Sequence, residues 1–214
     1  MKIAKDPLLW AMALCFFALE QQIQAKPIQE AKGCFITQEK SPTNKNAKNV
    51  NSDCGPTSLA MAAKRWNKVP KGYSASPQGV EQFISYLRKL MTGKNNHQAG
   101  TNGKQIAHAA ESIGIHASII RNMTLDSLNK GLSHQNMVIA GGNPAAPGAY
   151  AQSLSEKQYK HFNGSHWILV VARGKNDHYI VDDPMSLKGP LKITSSEMNG
   201  YLHTRANEGV VLSK

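Results

Sequence analysis

Residues 165–173, SHWILVVAR, followed after four residues by 178–184, HYIVDDP, constrain the fold of this chain more than any other stretch. Two runs rich in Val, Ile, Leu and aromatics, broken by Gly174-Lys175-Asn176-Asp177, read as a β-hairpin. A four-residue loop at 174–177, or a two-residue loop at Lys175-Asn176, pairs Arg173 with His178. That register sets His166 opposite Met185. Side chains alternate faces, so Asp183 lies diagonal to His166 on the same face and Asp182 points the other way. A three- or five-residue loop reverses the choice and makes Asp182 the partner. Pro184 biases Asp183 toward extended backbone.

The rest of the chain must supply layers for this hairpin. Upstream patterns are mainly helical. A helix from about Pro56 to Trp66 places Leu59, Ala62, Ala63 and Trp66 on one face. Pro77 opens a second helix, with Val80, Phe83, Ile84, Leu87, Leu90 and Met91 in the i, i+3, i+4 pattern. A third carries Ile106, Ala109, Ala110 and Ile113 and stops at Gly114. Short strands are expected at Gly33–Gln38, His116–Arg121, Met137–Ala140, Leu191–Thr194 and Gly209–Leu212. Short helices are expected around Leu125–Leu132 and Ser196–Leu202. A long irregular segment, Ala145–Gly164, precedes the hairpin, and loops of that length are often functional. Helices first and antiparallel strands later point to an α+β fold.

One motif stands out against this frame: SDCGPTSLAM, residues 52–61. Pro56 suits the first turn of a helix, Gly55 reads as its permissive cap, and Cys54 falls at the helix mouth. Free backbone N–H groups and the positive end of the helix dipole favour a thiolate there. Cys54 is then a nucleophile, a disulfide partner or a small buried apolar residue. A cysteine nucleophile needs a base and a group that orients the base. His166 is the candidate base. Asp183 is the preferred orienter, with Asp182 as the alternative.

Composition narrows the setting. The chain has 214 residues, enough for one domain, with 25 Lys+Arg against 14 Asp+Glu and a formal charge of +11. Lys2 and Lys5 precede the apolar run Leu8–Leu19, and Ile23-Gln24-Ala25 resembles a signal-peptidase site. Residues 1–25 therefore read as a cleaved secretory signal and 26–214 as the domain, secreted or periplasmic. The charge suits a polyanionic neighbourhood such as a cell envelope, and no nucleic-acid-binding module is recognisable. Without Cys15, only Cys34 and Cys54 remain, and in an oxidising compartment arithmetic pairs them. The alternative function is thus a noncatalytic envelope-binding protein bridged Cys34–Cys54. No cofactor is called for. His161 and His166 near carboxylates match no strong zinc spacing, so no metal is expected.

With these pieces in order, the sequence resembles the papain-like cysteine peptidases that process double-glycine bacteriocin leaders, and their stand-alone relatives. The residues that carry the resemblance are DCGPTSLAM, the Met137–Ala140 strand after a short helix, and SHWILVV…HYIVDDP, over roughly residues 33–190. The resemblance implies N-terminal helices packed on an antiparallel sheet, a Cys54 nucleophile, a His166 base, an Asp183 orienter and a peptide substrate. The family carries an oxyanion glutamine about six residues before the cysteine, where this chain has Lys48. Gln38, Asn49 and Asn51 are the candidate replacements.

Overall fold

A computed structural model describes residues 33–47, 52–160, 162, 164–203 and 207–214. The expected secretory signal at residues 1–25, together with Lys48, Asn49, Asn51 and His161, lies outside them. Three helices come first: α1 (Cys54–Arg65), α2 (Val80–Thr92) and α3 (Gly103–Ser112). Strand β1 (His116–Arg121), helix α4 (Leu125–Gly131) and strand β2 (Met137–Gly142) follow. Two short 3₁₀ turns, Tyr150–Ser153 and Lys157–Tyr159, interrupt the segment before the hairpin β3 (His166–Arg173) and β4 (His178–Asp182). Strand β5 (Leu191–Thr194), helix α5 (Ser195–Leu202) and strand β6 (Glu208–Ser213) close the chain. The six strands form one sheet in the order β1-β6-β2-β3-β4-β5. Every neighbouring pair is antiparallel. The fold is α+β.

The sheet is covered on both faces, which explains why β3 reads as an unbroken apolar run. Leu169 and Val171 pack with Leu59, Phe83, Ile84, Leu87 and Ile106 of α1–α3. Ile168 and Val170 face the other way, onto Leu128, Met198, Tyr201 and the two tyrosines of the 3₁₀ turns, Tyr150 and Tyr159. Alternating side chains thus feed two separate cores.

Several local expectations are corrected. Gly33–Gln38 forms no strand. Its buried residues run extended past the end of β4, where the Gln38 N–H and the Thr37 hydroxyl both donate to the Pro184 carbonyl at 2.8 and 2.7 Å. Pro184 has no N–H to return, so a ladder cannot propagate there. Helix α1 starts at Cys54, two residues before Pro56, with Asp53 at the N-cap position. Gly55 is therefore helical rather than a cap. Its need is steric, since a Cβ there would lie 2.2 Å from the Thr101 hydroxyl. Helix α2 begins at Val80 because Pro77–Gly79 forms a preceding turn, with the Val80 N–H on the Ser76 carbonyl at 2.8 Å.

The hairpin register also differs from expectation. Arg173 pairs with Tyr179 rather than His178, the register of a five-residue loop, while Leu169 pairs with Asp182. A β-bulge between Val170 and Ala172 makes up the difference. The additional residue on β3 shifts the pairing by one and returns the site end of the hairpin to the register in which Asp183 shares a face with His166.

Gly142 pairs with His166 across β2 and β3, and the Tyr201 hydroxyl of α5 lies against the same two strands, its one hydrogen shared between the carbonyls of Ala140 (2.9 Å) and His166 (2.6 Å). A Cβ on Gly142 would stand 2.4 Å from the Tyr201 carbonyl oxygen and 2.6 Å from its ring. Gly142→Ala is expected to destabilise the fold by about 1–3 kcal/mol through overpacking. Urea unfolding of the variant against the parent protein measures this, and an unchanged midpoint would remove the steric argument.

Candidate functional site

The candidate site forms where the N-terminus of α1 meets the open end of the β3–β4 hairpin. Cys54 is the first residue of α1 and is buried, and its neighbours in the core include Trp167. His166 is the first residue of β3, 2% exposed, and Asp183 directly follows β4, 0% exposed. The His166 Nε2 lies 2.6 Å from Asp183 Oδ1. With Nε2 committed to the carboxylate, Nδ1 is the ring nitrogen left for the sulfur, and Cys54 stands near enough to the ring to raise its proton affinity.

Asp182 does something else. Its carboxylate accepts from Arg65 Nε and Nη2 at 3.0 and 2.6 Å, in an ion pair buried between β4 and the end of α1. It faces away from His166, so of the two carboxylates only Asp183 meets the imidazole.

The Asp183 carboxylate is saturated with donors. Besides His166, Oδ1 accepts the Met185 N–H at 2.8 Å. Oδ2 accepts the hydroxyls of Tyr150 and Tyr159, each at 2.6 Å. Sequence reasoning missed both tyrosines. The only signal was their place in the long segment before the hairpin, which shows length but not direction. Phe162 covers the imidazole edge-on, with ring centroids 5.6 Å apart.

Burial depresses the proton affinity of His166, but the charge and hydrogen bond of Asp183, aided by Cys54, outweigh it and raise its pKa from 6.5 to about 10. Burial pushes the Asp183 carboxyl up, while the imidazolium and the hydrogen bonds from His166, Tyr150 and Tyr159 bring it below its ordinary 3.8. The raised His166 contributes stability that is whole below pH 6.5 and fades as pH rises toward 10. The lowered Asp183 contributes stability that is whole above pH 3.8 and fades on acidification. The pair is expected to support the fold most between pH 3.8 and 6.5. Denaturant midpoints across pH for the parent protein and His166→Gln check this: their difference should shrink from pH 6.5 toward 10.

Behind Cys54, a fully buried arginine of α2 ties down the approach to α1. Arg88 Nε donates to Asp53 Oδ1 at 2.5 Å, Nη1 to the carbonyls of Ala99 (2.6 Å) and Asn96 (3.2 Å), and Nη2 to the Ser52 carbonyl. His97 Nδ1 meets Asp53 Oδ2 at 2.7 Å. Asp53, Glu81 and His97 bring one donor atom each within 4.8 Å of one another. The Arg88 guanidinium is already the cation of that cluster.

A cavity of about 450 Å³ opens beside His166, lined by Thr101, Asn102, Gly141, Ser165, Trp167 and Glu208 among others. A second, of about 800 Å³, shares Asn122 and Asn207 with it and is bounded by Ala145, Ala146 and Pro147 at the start of the long segment. His166 lines the smaller cavity, and Cys54 lines neither. Gln38 is buried, and its side chain hydrogen-bonds the Glu39 carboxylate. Its Oε1 has no partner among the described residues.

Among the described residues Cys34 and Cys54 are both unbridged, so the structure lacks the disulfide on which the alternative reading rests. Cys34 lies in the field of Lys64, in the last turn of α1.

A papain-like α+β domain with a cysteine at a helix start, against an imidazole and carboxylate on a sheet hairpin, has the architecture of a thiol peptidase. The model of the Peptidase_C39 like family matches residues 35–204, and the chain belongs to that family, one of cysteine peptidases. Among solved structures, it is similar to a double glycine motif protease from an AMS/PCAT transporter in complex with the leader peptide. That match has 18% identity, a TM-score of 0.44, and covers 75% of this chain and 84% of that chain. The peptidase domain of ComA from Streptococcus, a bifunctional ABC transporter of a quorum-sensing pathway, matches at 22% identity and TM-score 0.46, over 75% and 90%. A putative C39-like peptidase from Bacillus anthracis matches at 13% identity and TM-score 0.43, over 84% and 97%. No curated protein matches the chain.

Proposed function

We propose that this protein is a secreted thiol hydrolase that cleaves a peptide or amide bond, with Cys54 as nucleophile, His166 as base and acid, and Asp183 as the group that orients His166. The observation that carries this reading is the 2.6 Å His166–Asp183 bond with the Cys54 thiol on the same imidazole. The raised proton affinity of His166 supports a resting thiolate–imidazolium pair. The thiolate attacks the carbonyl carbon and a C–S bond forms. The oxyanion is held by the backbone N–H of Cys54 at the start of α1. As the C–N bond breaks, the imidazolium gives its proton to the leaving amine, and a thioester remains. Neutral His166 then takes a proton from water, which attacks the thioester, and the thiolate and imidazolium are regenerated with release of the carboxylate. We assign the second oxyanion donor to Gln38, whose buried amide is the one of the three candidates that lies among the described residues.

The substrate is proposed as a peptide, with the cleft beside His166 receiving residues around the scissile bond. Profiling a peptide and peptidoglycan-fragment library with the parent protein and Cys54→Ala tests the reading. Hydrolysis should vanish with the thiol, and rapid labelling of Cys54 should vanish in His166→Ala. Hydrolysis that survives Cys54→Ala, or a Cys54 no more reactive than a free thiol, would overturn it.

A further inference from the structure

The carboxylate of Asp183 offers four lone-pair directions and receives four donors: the imidazole, one backbone N–H and two phenols. The phenols reach it from two separate 3₁₀ turns of the long segment before the hairpin. Both are buried behind the carboxylate. Their rings meet edge-on, 6.2 Å between centroids, so each holds the other in place. Two independent turns delivering hydroxyls to one oxygen atom, at equal 2.6 Å distances, exceed what packing alone requires.

Resting on the assignment of Cys54, His166 and Asp183 above, we propose that Tyr150 and Tyr159 are positioning residues. Their phenols lock the rotation of the Asp183 carboxylate and draw off part of its charge, and so set the pH at which the imidazolium gives up its proton. The geometry explains both effects. With Oδ2 clamped, Oδ1 cannot swing from Nε2. Each donor that shares the single negative charge weakens the attraction left for the ring. The phenols themselves stay protonated at any working pH, since burial and the neighbouring carboxylate push both well above the ordinary value of 10.0. The other groups facing the pair are the Cys54 thiol from α1, the Tyr201 hydroxyl from α5, bonded to backbone carbonyls, and Glu156, which acts on Tyr159. Asp182 and Arg65 neutralise each other on the opposite side of β4.

The test is the pH dependence of Cys54 alkylation by iodoacetate, mapped by mass, in the full chain. The reagent is an anion drawn to the imidazolium, so its rate falls as that ring deprotonates. No substrate is required. In Tyr150→Phe and Tyr159→Phe the alkaline limb should move to higher pH by about half a unit each, and further in the double variant. On a library-derived peptide substrate, kcat should fall several-fold while KM holds. Uniform incorporation of 3-fluorotyrosine, a stronger donor of the same shape, should move the limb to lower pH. It keeps the question open to measurement if a phenylalanine variant fails to fold. An alkaline limb unmoved in folded phenylalanine variants, or unmoved by fluorination, overturns the proposal. A parent protein with no alkaline limb at Cys54 overturns the thiolate–imidazolium reading itself, so the two failures are distinct.

Discussion

Asp183→Asn is expected to lower kcat for peptide hydrolysis about 10⁴-fold. The carboxylate is fully buried and takes four donors on two oxygens. An asparagine keeps one acceptor oxygen and turns an N–H₂ group toward donors. If the oxygen stays on His166, the amide hydrogens face the phenols of Tyr150 and Tyr159. If it turns to the phenols, the imidazole faces a donor and adopts the wrong tautomer. Either way the charge that does most to raise the proton affinity of His166 is gone, and Cys54 is left to oppose the downward pull of burial. The thiolate–imidazolium pair should give way to neutral thiol and imidazole at neutral pH. Single-turnover hydrolysis, with Cys54 alkylation as an independent readout, checks this. Asp183→Asn within tenfold of the parent protein would remove Asp183 from the machinery.

Arg88→Ala is expected to cost about 3–5 kcal/mol of stability, the loss seen when one partner of a buried pair is removed. For a chain of 214 residues this corresponds to a fall in melting temperature on the order of 10 °C. The guanidinium is 0% exposed, and Asp53 is 2% exposed. Without Arg88, Asp53 keeps His97 alone among the described side chains as a partner for its buried carboxylate, and the carbonyls of Ser52, Asn96 and Ala99 lose a common donor. Because Asp53 immediately precedes Cys54, slack in this loop should also reduce activity in whatever protein remains folded. Asp53→Asn/Arg88→Met, which removes both charges together, should be milder than Arg88→Ala alone. Thermal and urea unfolding of the three variants decide the point. An Arg88→Ala protein melting within about 2–4 °C of the parent, the shift for 1 kcal/mol at this length, would show that the network contributes little.

The candidate site was legible to the extent that its residues sit at element ends. Cys54 before Gly-Pro and His166 at the head of an apolar run are marked by local chemistry. Asp183 was chosen over Asp182 by a register argument whose premise fails at the turn, where Arg173 pairs with Tyr179. The bulge near Val171 compensates, and no residue type in VVA announces a bulge. The supporting groups were not legible. Tyr150 and Tyr159 lie in an aperiodic segment, and the Arg88–Asp53 contact joins residues 35 positions apart with no shared motif.

What the sequence determined by itself were the elements whose residues repeat with the period of a helix or strand, since burying one face rewards that repeat directly. Helices α1–α3, the hairpin and the α+β class follow from it. Only the tertiary structure decided where irregular chain goes. It laid Thr37 and Gln38 against Pro184 without pairing them as a strand, and drew two phenols onto one carboxylate. The physical reason is that these outcomes depend on satisfying polar groups buried by elements far apart in the chain, and such satisfaction exists only once the layers have met.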